Sequence, residues 1–554
     1  MTGDDRLYLF DTTLRDGQQT RGVDFTVADK AAIARALDEI GIDYIEGGWP
    51  GANPTDDTFF AAPPALARAR LVAFGMTRRA GRSAQNDPGL AGVLAARAHA
   101  ACLVGKSWGF HVDLALGISR DENLAMIADS VAHAAARGFE PMFDCEHFFD
   151  GYREDPGFAR ACAETAYDAG ARWVVLCDTN GGTLPHEIGD IVGDMTAAVP
   201  GSHLGIHCHN DTENAVANTL AAVRAGARQV QGTINGLGER CGNANLCSLV
   251  PSLMLKLGYE TGVTADGLRK LTALSRLLDE RLNRVPDTRA AYVGAAAFAH
   301  KGGLHVSAVE KNPRTYEHID PALVGNQRQI LVSDQAGRSN ILARLRQIGL
   351  ELDPGDARIG RLVEDVKEKE YLGYAFDSAE ASFELLARRL IGTVPGYFSI
   401  DRFRVIDERR FNARGVLVIE SEATATIEVG TDLLHEVAVG NGPVNALDIA
   451  IRKALVRHYP CLGDVRLIDY KVRILPPPAD GDGTDATTRV MIESGDRHGR
   501  WTTVGVSGNI IDASIMALSD GLTYKLLKDG VRRPDTARRT GERRQAAAGA
   551  NRSS

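Results

Sequence analysis

The sequence predicts an α/β fold led by an eight-stranded parallel (β/α)8 barrel. A helical subdomain and a C-terminal α+β domain follow it. Three observations carry the prediction. Eight short apolar segments alternate with Ala-rich amphipathic helices between residue 7 and about residue 235, the pattern of a barrel built from βα units. Polar and titratable residues stand at the C-terminal end of nearly every one of those segments. Beyond about residue 398 the period changes to long alternating strands, each group of three followed by one helix.

Taken in order, the strands are Leu7–Phe10, Tyr44–Glu46, Leu71–Phe74, Cys102–Val104, Met142–Cys145, Trp173–Cys177, Leu204–His207 and Val230–Ile234. Each is a short apolar run bounded by turn residues. The first helix, Val27–Ile40, opens with Thr26 and Asp29 in capping-box spacing and closes at Gly41. Asn214–Ala225 is a second clear amphipathic helix. An open, doubly wound sheet is the competing arrangement. The first strand-to-helix turn is Asp11-Thr12-Thr13-Leu14-Arg15-Asp16-Gly17, without the GxGxxG pattern of a dinucleotide site, which weakens it.

In a barrel, chemistry sits at the C-terminal ends of the strands. Those ends carry Asp11, Arg15 and Asp16 after strand 1, and Glu46 to Trp49 after strand 2. Lys106 follows strand 4, Glu146 and His147 strand 5, and Asp178 to Gly182 strand 6. His207, His209, Asn210 and Asp211 follow strand 7, and Asn235 to Asn245 strand 8. In a strand, residues i and i+2 share a face, so His207 and His209 project together while Cys208 points away. Two imidazoles and the carboxylate of the first loop form a mixed N/O set suited to a divalent metal with positions open to substrate.

The later chain divides by the same reasoning. Residues 1–265 are the catalytic barrel and 266–397 a helical region. Residues 398–530 hold a twofold βββα repeat with turns at Gly440-Asn441-Gly442-Pro443 and Gly508-Asn509. Residues 531–554 form a disordered tail rich in Arg, Ala and Ser. Pro476 to Thr484 is an exposed loop. Within the middle region, Phe298–Ser307 and Lys311–Tyr316 are dense in His, Gly and Tyr, which suggests function.

Composition excludes several classes. The chain has 554 residues, a net charge of −9 and 24% charged residues, which argues against a nucleic-acid surface. No apolar run approaches the ~18 residues of a membrane span. The eight cysteines are scattered without a CxxC pair. Reduced thiols and a cytoplasmic location are the expectation.

Three motifs occur in order: DTTLRDG at Asp11–Gly17, HCHND at His207–Asp211 and GLGERCGN at Gly236–Asn243. With them, the sequence resembles the acyl-CoA condensing enzymes that include 2-isopropylmalate, homocitrate and citramalate synthases. These are metal-dependent barrels related to hydroxymethylglutaryl-CoA lyase. The resemblance runs to about residue 530. Gln18–Val23, Glu46–Pro54 and His305–Ile319 look most like the citramalate synthase branch. It implies condensation of acetyl-CoA with pyruvate and water to (R)-citramalate and CoA, in isoleucine biosynthesis. 2-Isopropylmalate or homocitrate synthesis is the alternative. From other classes come a metal-dependent aldol-type lyase and a non-catalytic sensor.

The resemblance also implies roles. A divalent ion (Mg, Mn or Zn) falls on Asp16, His207, His209 and Asn243. Catalysis falls on Arg15, Glu146, His305 and Tyr316, and substrate binding on Arg15, Thr179 and Glu146. Ser307 stands where many relatives carry an acidic residue. The oxo-acid side chain is expected against Trp49, Met76, Lys106 and Asp144. The partners implied are acetyl-CoA, a small 2-oxo acid, isoleucine as effector at the C-terminal domain, and a second copy in a homodimer. Neither nucleic acid nor membrane is implied.

Overall fold

The structure is a computed structural model that describes residues 6–333, 337–411, 413–475 and 486–532. The chain divides into two compact units. The first runs to Phe298 and includes His318–Arg328; the second comprises Ala299–Glu317 and the chain from Gln329 onward.

In the first unit, eight parallel strands close into a barrel in sequence order: β1 (Tyr8–Asp11), β2 (Tyr44–Gly48), β3 (Arg70–Met76), β4 (Ala100–Lys106), β5 (Glu140–Glu146), β6 (Trp173–Asp178), β7 (Leu204–Cys208) and β8 (Gln229–Gly232). All eight expected strands are present, with ends shifted by at most two residues. β8 stops at Gly232 because Thr233 turns to pair with Asn245. The pairing of β1 with β8, Tyr8 opposite Gln229 through Asp11 opposite Gly232, closes the ring.

Side-chain alternation separates two apolar layers. Phe10, Val72, Phe74, Met142, Val175 and Cys177 fill the barrel interior. Leu9, Leu71, Ala73, Phe143, Val174 and Leu176 face the surrounding helices. The same period carries Glu46, Lys106, Asp144, Glu146, Thr179, His207, His209 and Gln231 onto the inner face. At the opposite end, the Trp173 indole donates to Tyr44 Oη at 3.2 Å and Tyr44 donates to Glu140 at 2.6 Å.

The helix Val27–Ile40 has the expected bounds. Its Thr26–Asp29 capping box is complete, and Gly41 ends it in the left-handed conformation. After the barrel come two helices, Ala265–Leu268 and Leu271–Arg281.

The second unit opens on a two-residue parallel pair, β9 (Ala299–His300) with β10 (Gln329–Ile330). The helices Gly303–Lys311, Arg338–Gln347, Ala357–Tyr371 and Glu380–Ile391 belong to it. The βββα repeat is present. β11 (Ser399–Phe411), β12 (Leu417–Val429) and β13 (Asp432–Gly440) form one antiparallel sheet, followed by the helix Pro443–Leu455. β14 (Arg466–Ile474), β15 (Thr488–Asp496) and β16 (Gly499–Ser507) form the other, followed by the helix Ile510–Lys528. Ala423, Ala425 and Ile427 of β12 pack with Leu447 and Ile451 of the first helix. Val490 and Ile492 of β15 pack with Ala513 and Ala517 of the second.

Residues 533–554 of the tail and the loop at 476–484 lie outside the described residues. Among the described residues no helix is long and apolar enough to cross a membrane. All eight cysteines are free thiols, and six of them are buried.

The capping box predicts a local stability effect. Thr26→Ala removes the bond from Asp29 N, 3.1 Å, and should cost about 1 kcal/mol. Urea denaturation followed by circular dichroism measures it.

Candidate functional site

The barrel mouth is built from three loops. β1 runs into a tight turn in which Asp11 accepts from Thr13 N at 2.9 Å and from Thr13 Oγ1 at 2.7 Å. That turn delivers Arg15 and Asp16. β7 delivers His207 and His209 on the same face. Beyond β8 the loop folds back so that Asn243 pairs with His209 across an antiparallel bridge. Two glycines allow this return. Gly242 has φ +91°, and a Cβ there would stand 2.0 Å from Gly236 O. Gly238 has φ +155°, and its Cβ would meet Asn243 Nδ2 at 2.5 Å. No other residue fits either position without moving the loop.

These loops bring Asp16, His207 and His209 into one buried group whose ligand atoms all lie within 4.8 Å of one another. Asp16 Oδ2 is 3.6 Å from His207 Nε2 and 3.7 Å from His209 Nε2. Gln231 sets the first histidine. Its Oε1 accepts from His207 Nδ1 at 2.9 Å, and its Nε2 donates to Asp144 Oδ1 at 3.2 Å. A proton fixed on Nδ1 leaves the Nε2 lone pair facing the group, as a metal ligand requires. Asp16 Oδ1, His209 Nδ1 and Asn243 Oδ1 are buried and lack hydrogen-bond partners. Burial and the neighbouring His207 pull His209 down to about 4, so its ring is neutral at neutral pH. Although burial opposes it, the neighbouring Arg15 charge holds Asp16 down at about 2. A carboxylate, two imidazoles and unsatisfied oxygens suit a divalent cation.

Arg15 stands beside the group, held from both sides. Its Nε donates to Glu46 Oε2 at 2.7 Å, and its guanidinium lies 3.9 Å over the Phe74 ring. Glu46 is fully buried and also accepts from Thr12 Oγ1 at 2.5 Å. On the far wall Lys106 and Glu146 form a close ion pair. Thr179 Oγ1 accepts from His147 N at 2.7 Å, which leaves the Thr179 hydroxyl proton free to donate to a ligand. A pocket of about 360 Å³ joins Arg15, Asp16, Glu146, Thr179, His207 and His209. Trp49, Met76, Lys106 and Asp144 line it too.

His305 and Tyr316 belong to the second unit. Their rings stack with centroids 4.1 Å apart, and both side chains are exposed. Ser307 lies on the same helix, half-buried. The sequence reading did not single out Gln231, Phe74 or Lys30. Gln231 had a signal, since alternation from Gln229 puts both glutamines on the barrel interior.

Burial also acts on a carboxyl of the first loop outside the ligand set. Asp11 is fully buried, and desolvation raises it to about 7. A raised carboxyl favours folding while protonated in both states, and that contribution is lost as pH rises from about 4 towards 7. Asp11→Asn should therefore stabilise the protein more at pH 8 than at pH 5, by roughly 2–3 kcal/mol. Chemical denaturation at the two pH values measures the difference.

The chain matches known proteins over nearly its full length. Residues 6–275 match the HMGL-like family, and residues 292–371 match the homocitrate synthase post-HMGL domain-like family. Residues 377–526 match the LeuA allosteric (dimerisation) domain. An (R)-citramalate synthase of Geobacter sulfurreducens is 52% identical over 94% of this chain and 97% of its own length. That of Aquifex aeolicus is 50% identical over 95% and 98%. A probable 2-isopropylmalate synthase of Methanopyrus kandleri is 34% identical over 94% and 98%. With HMGL-like, post-HMGL and LeuA allosteric segments in that order, and about 50% identity to the two (R)-citramalate synthases over 94–95% of its length, the chain belongs to the (R)-citramalate synthase family of acyl-condensing enzymes.

Proposed function

We propose that the chain condenses acetyl-CoA with pyruvate and water, releasing (R)-citramalate and CoA. The observation that carries the reading is the near-complete alignment at 44–52% identity with five proteins named (R)-citramalate synthase. The 34% identity to a probable 2-isopropylmalate synthase makes that activity the weaker reading. A lyase is disfavoured by the second unit, whose LeuA allosteric segment is a feature of regulated synthases.

Asp16, His207 and His209 would hold a divalent ion, with Asn243 as a fourth contributor. Such an ion, when bound, supplies Lewis-acid polarisation of a carbonyl. Arg15 faces the same space with a permanent charge, so it can stabilise the alkoxide that forms as the acetyl carbon attacks the ketone. The Thr179 hydroxyl, whose oxygen accepts from His147 N, is the proposed donor to the oxo-acid carboxylate. Glu146, held by Lys106, orients substrate and is the pocket's candidate base for the acetyl methyl proton. His305 and Tyr316 are the second unit's candidates for the same step. Hydrolysis of the thioester then releases CoA and draws the condensation forward.

Trp49 and Phe74 meet edge to face at 5.4 Å and form a rigid aromatic wall of the pocket. A methyl group is accommodated there more readily than an isopropyl group. With acetyl-CoA saturating, release of free CoA should give a higher kcat/KM for pyruvate than for 2-oxoisovalerate. Each extra methylene is worth about 1–3 kcal/mol in a pocket. A ratio favouring 2-oxoisovalerate would assign the chain to isopropylmalate synthesis.

The LeuA allosteric segment supports oligomerisation, with a homodimer as the proposed state, and isoleucine as the proposed effector of the βββα repeat. Isoleucine should inhibit the full chain and leave a chain ending near residue 395 unaffected, measured by the same CoA assay. Equal inhibition of both would place the effector elsewhere.

A further inference from the structure

The helix Val27–Ile40 lays Lys30, Ile33, Ala34 and Leu37 on its buried face. Lys30 is fully buried. Its ammonium donates to Leu14 O at 2.9 Å and Gly47 O at 3.0 Å, and pairs closely with Asp56 Oδ1. All three of its donors are used. Asp56, also buried, accepts at Oδ2 from Trp49 N at 2.8 Å and from Asn53 Nδ2 at 2.9 Å. Gly48, at φ +146°, lets the chain pass so near the carboxylate that a Cβ would stand 2.4 Å from Asp56 Cγ.

The attachment points matter more than the pair. Leu14 precedes Arg15, Gly47 follows Glu46, and Trp49 lines the pocket. Arg15 and Glu46 bond each other, and the Phe74 ring touches both the Arg15 guanidinium and the Trp49 ring. One ammonium and one carboxylate therefore hold the backbone of both strand-end loops from behind the wall that these side chains form. Stability does not demand a charge here, because apolar residues of similar volume often replace a buried ion pair at no loss. An apolar side chain, however, cannot hold two carbonyls and an amide at fixed separations.

We propose that Lys30 and Asp56 are positioning residues that set the Arg15 guanidinium and the Trp49 ring relative to each other, and so fix the depth of the oxo-acid pocket. The kinetic part rests on the condensing reading above; the structural part does not.

The test uses the full chain in three forms: wild type, the charge-neutral Lys30→Met/Asp56→Leu double variant, and Asp56→Asn. Circular dichroism reports folding, and calorimetry with Mn²⁺ reports the metal group. Kinetics use pyruvate and 2-oxobutyrate. The chain has four tryptophans, so ¹⁹F NMR of 5-fluorotryptophan protein, with Trp49 assigned through Trp49→Phe, reads the wall directly. In the folded double variant, Mn²⁺ affinity should stay within about threefold. kcat should fall about 100-fold, the loss that a misplacement near 1 Å brings. Preference for pyruvate should shrink about tenfold, and the Trp49 resonance should broaden or split. If the double variant does not fold, Asp56→Asn carries the test, with the same directions at smaller size. A folded variant with kinetics within twofold of wild type and an unchanged Trp49 resonance overturns the proposal. A wild-type chain inactive on pyruvate overturns the condensing reading alone, and the Trp49 resonance then decides on the positioning role.

Discussion

The closure of β1 onto β8 is the constraint on which the site depends. Without it, Asp16 on the first loop and His207 and His209 at the end of β7 are distant parts of one chain. With it, their ligand atoms all lie within 4.8 Å of one another. Closure is driven by burial of the two apolar layers, and those layers are continuous around the ring. The polar group at the mouth adds little to that driving force. Three buried ligand atoms with unsatisfied neighbours are costly to bring together, so the apolar strands below must hold them there. The site is thus imposed by the barrel, and its unsatisfied oxygens and nitrogens are what make it receptive to a cation.

Around that group the structure uses supports of two kinds. Gln231 and Glu46 act through single hydrogen bonds on a functional side chain, one orienting His207 and the other Arg15. The glycines at 238 and 242 act on the backbone, allowing the loop after β8 to return against His209. Lys30 and Asp56 act on the backbone of two strand-end loops together. Each support lies outside the pocket or at its edge, which frees the pocket wall for Arg15, Glu146, Thr179 and the aromatic pair.

Much of this was legible in the sequence. The strands were readable because β structure in a barrel is short, apolar and bounded by turns. The inward direction of His207 and His209 followed from the two-residue period, and the opposite direction of Cys208 with it. The twofold βββα repeat was readable from its change of period and its paired Gly-Asn turns. Lys30 was overlooked although its spacing to Ile33, Ala34 and Leu37 marks it as buried, because a lysine on a helix is expected to face water. Its partner Asp56 lies on the short helix Pro54–Ala61, and no local pattern links the two. The support of Arg15 by Glu46 and Phe74 joins three strand ends, a contact that spacing alone does not give. The stacking of His305 on Tyr316 likewise arises from a turn between them, not from any helical or strand period.

The central claim is that Asp16, His207 and His209 are one cation-binding group held by a barrel that does not need the cation to fold. Calorimetric titration of Mn²⁺ into the metal-stripped chain, beside His207→Ala, tests it most directly. The account predicts one ion per chain for the unaltered protein, and binding weakened at least 100-fold in the variant, with an unchanged circular dichroism spectrum. Equal affinity in both proteins would contradict it.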